Sequence, residues 1–234
     1  MRVLSVENES TFGEVIDYMR RRPVLLQLPQ VYTLIAPATG AGAKGLDEMK
    51  SRLPGKNYGS AVGDIRSFWE MIQKSSLPTG IEDPAVLEGT EDVFYRCQIS
   101  DKELNSKTVR SGSHQTLVLG GHARALMREV EAAFQETAEP ELFGGHSFSA
   151  PLITSCNVSG DPLGSITDEA RALKFMRERG VELWVRPTEV ASESGSYPIL
   201  ELSSEGIYVG REGPGLERIL GSMPEGSRPG RVAS

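Results

Sequence analysis

The sequence predicts an α/β protein of the α+β kind: a twisted mixed β-sheet with helices packed on it, in one domain spanning residues 1–220. Three observations carry that reading. Short apolar runs alternate irregularly with segments of helical apolar period, which does not fit a strict βαβ repeat. A chain of 234 residues is long enough to bury a substantial core without disulfides or structural metals. Its content of 38% hydrophobic and 24% charged residues is that of a soluble globular protein.

The elements follow in order. Ser10 is placed to cap a helix over 10–21, with Phe12, Val15, Ile16 and Met19 on one stripe. Two short buried strands, 24–26 and 31–35, are separated by a turn at Pro29. The small, glycine-rich stretch 38–44 reads as a loop, and 45–52 as a short helix stopped by Pro54-Gly55. A strand at 58–62 precedes a helix over 65–74, with Ile65, Phe68, Trp69 and Ile72 on its inner face. Strands at 93–99 and 115–119 flank a polar loop. An amphipathic helix over 123–135 buries Leu126, Met127, Val130 and Phe134. Segment 136–149 lacks any period and reads as a loop or insertion. A strand beginning at Pro151 runs into Thr154-Ser155-Cys156-Asn157. Thr167 is placed to cap a helix that buries Ala170, Leu173 and Met176 and stops at Gly180. Strands near 182–185, 199–202 and 207–209 and a helical turn at 215–220 complete the domain. Residues 221–234, rich in Pro, Gly, Ser and Arg, read as a disordered tail.

Charge and composition exclude several functions. With 25 basic and 32 acidic residues the net charge is −7, which opposes broad binding to a phosphate backbone, so direct nucleic-acid binding is not expected. Cys97 and Cys156 match no zinc or redox spacing, and the three histidines, His114, His122 and His146, are scattered. The first residues lack the apolar run of a signal peptide, and no stretch spans a membrane. The expectation is a reduced, cytoplasmic protein.

Three places could carry chemistry. Lys50-Ser51-Arg52 sits at a helix end, where an arginine fork and a lysine point charge suit a carboxylate or phosphate. The commoner meaning of such a pair is a solvated helix terminus. In Pro151–Gly160 a buried strand ends in small polar residues, where open α/β sheets place ligands. There Ser155 and Asn157 could donate to phosphate or ribose, although a plain turn explains the same residues. Arg211, after the last strand, is by itself an ordinary loop arginine. Gly40-Ala-Gly-Ala-Lys44-Gly45 lacks the spacing of a phosphate loop.

Taken together these motifs resemble the YrdC-like threonylcarbamoyl-AMP synthase family over residues 10–215. Gln27-Leu-Pro-Gln-Val-Tyr-Thr-Leu34 is similar to its PTETVYGL strand, and Lys50-Ser-Arg52 to its K-x-R pair. Pro151-Leu-Ile-Thr-Ser-Cys-Asn-Val-Ser-Gly160 is similar to its PLxxTSANxSG signature. Ser196-Tyr-Pro-Ile-Leu-Glu201 and Arg211-Glu-Gly213 are similar to its PSTIVD and R-x-G segments. The departures are in the first and last motifs. Leu28 and Gln30 stand near the family's threonines, Thr33 replaces a glycine, and Tyr197 and Pro198 replace the serine and threonine of PST.

The resemblance implies an ATP-dependent nucleotidyltransferase that makes L-threonylcarbamoyl-AMP from threonine, bicarbonate and ATP for tRNA modification. It implies that Lys50 and Arg52 carry catalysis and hold the substrate anion, helped by Ser196. Thr154, Ser155, Asn157 and Arg211 would bind the nucleotide. ATP with Mg2+ is the expected cofactor pair, no protein metal site is expected, and tRNA-modification proteins are the expected partners. Two alternatives stay open: a carbamoyl-adenylate enzyme for another small substrate, and a non-catalytic nucleotide- or RNA-binding relative.

Overall fold

The computed structural model describes residues 1–189 and 194–227. In chain order the elements are β1 (Arg2–Ser5), α1 (Phe12–Met19), β2 (Val24–Gln27), β3 (Tyr32–Ala36), α2 (Gly40–Lys50), β4 (Gly59–Val62) and α3 (Ile65–Met71). Then come α4 (Pro84–Glu88), β5 (Val93–Gln98), β6 (Ser113–Val118), α5 (Gly121–Phe134), β7 (Leu152–Ser155) and α6 (Glu169–Arg179). The last are β8 (Leu183–Arg186), β9 (Ile199–Ser203), β10 (Gly206–Arg211) and α7 (Leu216–Ser222).

The described strands form one mixed sheet in the order β1-β8-β2-β3-β7-β4-β6-β5-β9-β10. The pairs β1/β8, β2/β8, β4/β6 and β5/β9 are parallel, and the other neighbours are antiparallel. The twisted mixed sheet expected from the sequence is therefore the fold. Alternation within strands sends side chains to two cores. On one face Leu25, Leu34, Leu152 and Tyr95 pack with Leu46, Phe68 and Phe175 of α2, α3 and α6. On the other, Leu26, Ile35, Ile153 and Leu117 pack with α1 and α5 through Val15, Met19, Leu126 and Val130.

Several boundaries differ from expectation, each for a local reason. The stretch 38–44 is the start of α2 and not a loop, because Thr39 caps it by accepting from Gly42 N–H at 3.0 Å. Gly42 is tolerated because α2 lies against Pro37: a Cβ there would come 2.2 Å from the Pro37 carbonyl. Ser10 does not cap α1; its hydroxyl turns to Asn8 Oδ1 at 2.7 Å, ahead of a 3-10 turn over Glu9–Thr11. The cap of α6 is Asp168, accepting from Arg171 N–H at 2.8 Å, and the helix buries Ala172, Phe175 and Met176, with Leu173 half-buried against the same core and Ala170 exposed. Strand β1 and helix α4 were not foreseen, since four and five residues carry too little period to stand out.

Segment 136–149 is the expected loop, largely exposed, but Leu142, Phe143 and Phe148 are buried and anchor it to the core. It forms a 3-10 turn over Pro140–Phe143, and Phe143 and Phe148 are buried at a centroid distance of 4.9 Å. His114 joins them, 5.1 Å from Phe143. Its ring contacts Ser60 Oγ at 2.9 Å and the Thr108 carbonyl at 3.0 Å, and burial pushes its pKa down to about 4. Residues 221–227, which the sequence reading gives to the tail, are ordered: α7 reaches Ser222, and Ser227 is buried in a turn over Glu225–Ser227. The rest of that tail, 228–234, lies outside the described residues. None of the described helices is long and apolar enough to cross a membrane.

Candidate functional site

The site is built where α2 ends beside the end of β7. Ser51 closes α2 in the left-handed region at φ 47°, ψ 57°. A non-glycine residue there costs roughly 1 kcal/mol, which the surroundings must hold in place. Its effect is to break the helical register, so that Lys50 and Arg52, which would share no face of a helix, both reach the strand end.

Lys50 is 2% exposed. Its Nζ donates to the Ser155 carbonyl, to Asn157 O at 2.7 Å and to Asn157 Oδ1 at 3.2 Å. Ser159 N–H returns a bond to the Lys50 carbonyl at 2.8 Å. An ammonium has three donors, and all three are committed to the turn. A substrate anion would therefore have to displace a carbonyl to meet Lys50 directly. Burial, then the nearby Arg52 charge, lowers its pKa to about 7.

Arg52 is the more available cation. One terminal nitrogen donates to Asn57 O at 2.5 Å and the other to Thr154 Oγ1 at 3.4 Å. The guanidinium lies 4.2 Å over the Tyr58 ring, and its Nε is buried with no hydrogen-bond partner among the described residues. Tyr58 is fixed by donating to Asp47 Oδ1 at 2.6 Å. Asn57 is fixed through donors to Ser106 O at 2.6 Å and Val109 O at 3.0 Å. Neither Asn57 nor Tyr58 was singled out from the sequence. Their spacing of five and six residues from Arg52 carries no recognisable pattern, because the chain turn between them sets the contact.

In the turn itself, Ser155 Oγ donates to Asn157 Oδ1 at 2.5 Å, and Asn157 Nδ2 donates to Val158 O at 3.1 Å. Gly160 closes it at φ +84°, against Leu53. Cys156 is buried, and burial pushes its thiol up to about 12, so it is an inert part of the core. The structure thus brings together Lys50, Arg52, Thr154, Ser155 and Asn157.

The other two expected residues form a second group. Ser196 Oγ meets Ser165 Oγ at 2.8 Å, on the loop that continues from the turn. Arg211 donates to the Tyr197 carbonyl at 2.9 Å from Nε and 2.5 Å from a terminal nitrogen, and lies 5.7 Å over Phe94. It is thus engaged beside Ser196 and not at the Lys50 cluster. Gly195 N–H bonds the Gln30 carbonyl at 2.9 Å, so this group also touches the altered first motif. Gln30 Oε1 there is buried and has no partner among the described residues. No three His, Cys, Asp or Glu side chains gather as a metal cage among the described residues. A magnesium ion held here would therefore need its oxygens from a phosphate ligand and water.

No protein-family model matches the chain, and no curated protein matches it in sequence. Solved structures do share its fold. Two structures of P. abyssi Sua5, one of them complexed with L-threonine, superpose with TM-scores of 0.65 and 0.63 at 16% and 15% identity. They cover 97% and 95% of this chain, which spans only 64% and 62% of theirs. E. coli YciO gives 0.58 at 14% identity, covering 91% of this chain and 94% of its own. Full-length HypF, in its phosphate- and nucleotide-bound form, gives 0.58 at 13% identity, over 85% of this chain and 28% of its own. At such identities the likeness is one of fold: the chain has the mixed α/β fold of Sua5 and YciO, which the motif resemblance implied.

Proposed function

We propose that this chain is a divergent L-threonylcarbamoyl-AMP synthase, a nucleotidyltransferase using ATP, bicarbonate and threonine. The observation that carries the reading is the meeting of Lys50 and Arg52 with the Thr154–Asn157 turn at one strand end. The fold shared with a threonine-bound Sua5 and a nucleotide-bound HypF supports it.

The chemistry is compatible with these groups. The threonine amine and bicarbonate give a carbamate and water. A carbamate oxygen then bonds to the α-phosphorus of ATP, the bond to the bridging oxygen breaks, and pyrophosphate leaves. The difficulty is crowded negative charge, so catalysis rests on positioning and neutralisation. Arg52 supplies the cationic fork, held flat by Tyr58. Lys50 acts as a positioning residue: it ties down the carbonyls of 155 and 157, which aims Ser155 and Asn157. Thr154, Ser155 and Asn157 receive the adenylate, while Ser196 and Arg211, held in a separate group, are assigned to the ligand by the motif resemblance alone. Magnesium arrives with the nucleotide, and the product passes to proteins that modify tRNA in the cytoplasm.

The altered first motif favours a second reading, a carbamoyl-adenylate enzyme for a different small substrate. Gln30, with its unpaired buried oxygen, stands beside Ser196 and Tyr197 where the family's threonine-type residues are missing. One assay separates the readings: pyrophosphate release from ATP and bicarbonate across a panel of amino acids. Threonine-dependent release, lost about a hundredfold or more in Arg52→Ala, is expected from the loss of a positioned charge. Release with another amine alone selects the second reading. Silence with every amine overturns both.

A further inference from the structure

A second cleft lies away from the Thr154–Asn157 turn, along the outer side of α2 where the ends of α1, α5 and α6 meet. It encloses about 770 Å3, within the ~300–1,000 Å3 of small-molecule sites. Five cations line it: Arg20, Arg21, Arg22, Lys44 and Arg179. Glu48 and Glu178 oppose them among the lining residues, and Asp17 and Glu182 beside the cleft pair with Arg20 and Arg22 at 3.8 and 3.5 Å, which leaves a small positive surplus in a protein whose net charge is −7. Pro37, Met49 and Phe134 add an apolar part to the same wall.

The cations are set in place. Arg20 lies 5.2 Å over Phe134 and Arg21 4.7 Å over Tyr18. Arg179 donates to Ser51 Oγ at 3.1 Å, while its Nε is shielded from water with no partner among the described residues. The start of α2 does not supply the anion site. Thr39 caps it, and the Glu139 carboxylate stands so near that a Cβ on Gly40 would meet it at 3.0 Å. The binding groups are the side chains along the cleft.

We infer that this cleft is a binding site for a nucleoside polyphosphate, distinct from the Lys50/Arg52 site. Arg21 and Arg179, which have no carboxylate partner among the described residues, and the more loosely paired Arg20, Arg22 and Lys44 suit the phosphates of such a ligand, and the apolar wall takes its base. A long polyanion is the poorer fit, because the rest of an acidic chain repels it while a small ligand feels mainly the local surplus. The Arg179–Ser51 bond joins this cleft to the residue between Lys50 and Arg52, so occupancy bears on that turn.

The inference does not rest on the proposed function, and equilibrium dialysis of the full chain with ATP separates the two. Two classes of ATP site are expected. Arg21→Glu with Lys44→Glu should weaken one class about tenfold or more, through two lost charge contacts. Arg52→Ala should spare that class and remove the other. A single class lost only in Arg52→Ala sinks the cleft and spares the proposed function. A single class lost only in the charge reversal does the opposite. No ATP binding sinks both. If a 20-nucleotide RNA binds more tightly than ATP and is lost in the same reversal, the ligand class is wrong. Arg22→Glu replaces the double variant should the latter melt lower than the parent.

Discussion

Replacing Lys50 with Met tests the physics of the site most directly. The thioether keeps the stem's volume and removes only the buried charge. Lys50 is buried, with a pKa lowered from 10.5 to about 7 by desolvation and by Arg52. The folded pKa lies below the unfolded one, so the folded state releases its proton first. Below pH 7 both states are charged and folding carries the whole cost of burying the ammonium. Between pH 7 and 10.5 folding releases a proton, and stability rises with pH. The full span corresponds to something on the order of 5 kcal/mol. From pH 7 to 9 the unfolded side chain stays charged while the folded one goes from half to almost fully neutral, worth roughly 2 kcal/mol. The assay is urea unfolding of both proteins at pH 7, 8 and 9. Other titrating groups are common to the pair and cancel in the difference. The wild type should gain roughly 2 kcal/mol on Lys50→Met across that range. Parallel curves would refute the reasoning. They would mean that the three oxygen acceptors hold the ammonium charged against burial and Arg52.

Other predictions follow from single features. Burial raises the Glu131 carboxyl to about 7, although Gly63 and Asp64 N–H groups favour its charge. Its folded pKa is above the unfolded value, so its contribution is present below about pH 4.5 and lost as pH rises through 7. Glu131→Gln should flatten that decline by roughly 2 kcal/mol, read from unfolding free energies at pH 5 and 8. Phe143→Ala should cost about 3–5 kcal/mol in urea unfolding, as for a fully buried ring; a loss below about 1 kcal/mol would mean that Phe143 does not anchor segment 136–149 to the core. Tyr58→Phe removes the bond to Asp47 but keeps the ring under Arg52, so it should cost about 1 kcal/mol of stability while pyrophosphate release persists.

The amphipathic stripes of α1 and α5, the apolar strands and the left-handed stop at Gly180 were legible because period and glycine placement act over a few neighbouring residues. The pairing of Lys50 and Arg52 with the 154–157 turn was legible only through the motif resemblance, since each cluster taken alone is an ordinary helix end or turn. The start of α2 was not legible, because Gly40 and Gly42 have little helical preference and are held there by the Thr39 cap and by the close approach of Gly42 to the Pro37 carbonyl. Nor was the anchoring of segment 136–149, whose phenylalanines have no local period and gain their meaning only from His114 and Phe68.

By itself, then, the sequence determined most of the strands and helices and which polar residues could serve an anion. Those are properties of local period and of side-chain chemistry. Tertiary structure alone decided how those residues are used. It commits the donors of Lys50 to two carbonyls and an amide, leaves Arg52 as the freer cation, and draws Arg211 onto Tyr197. Hydrogen-bond capacity is a property of a residue type, but its allocation depends on which atoms a folded chain brings within about 3 Å.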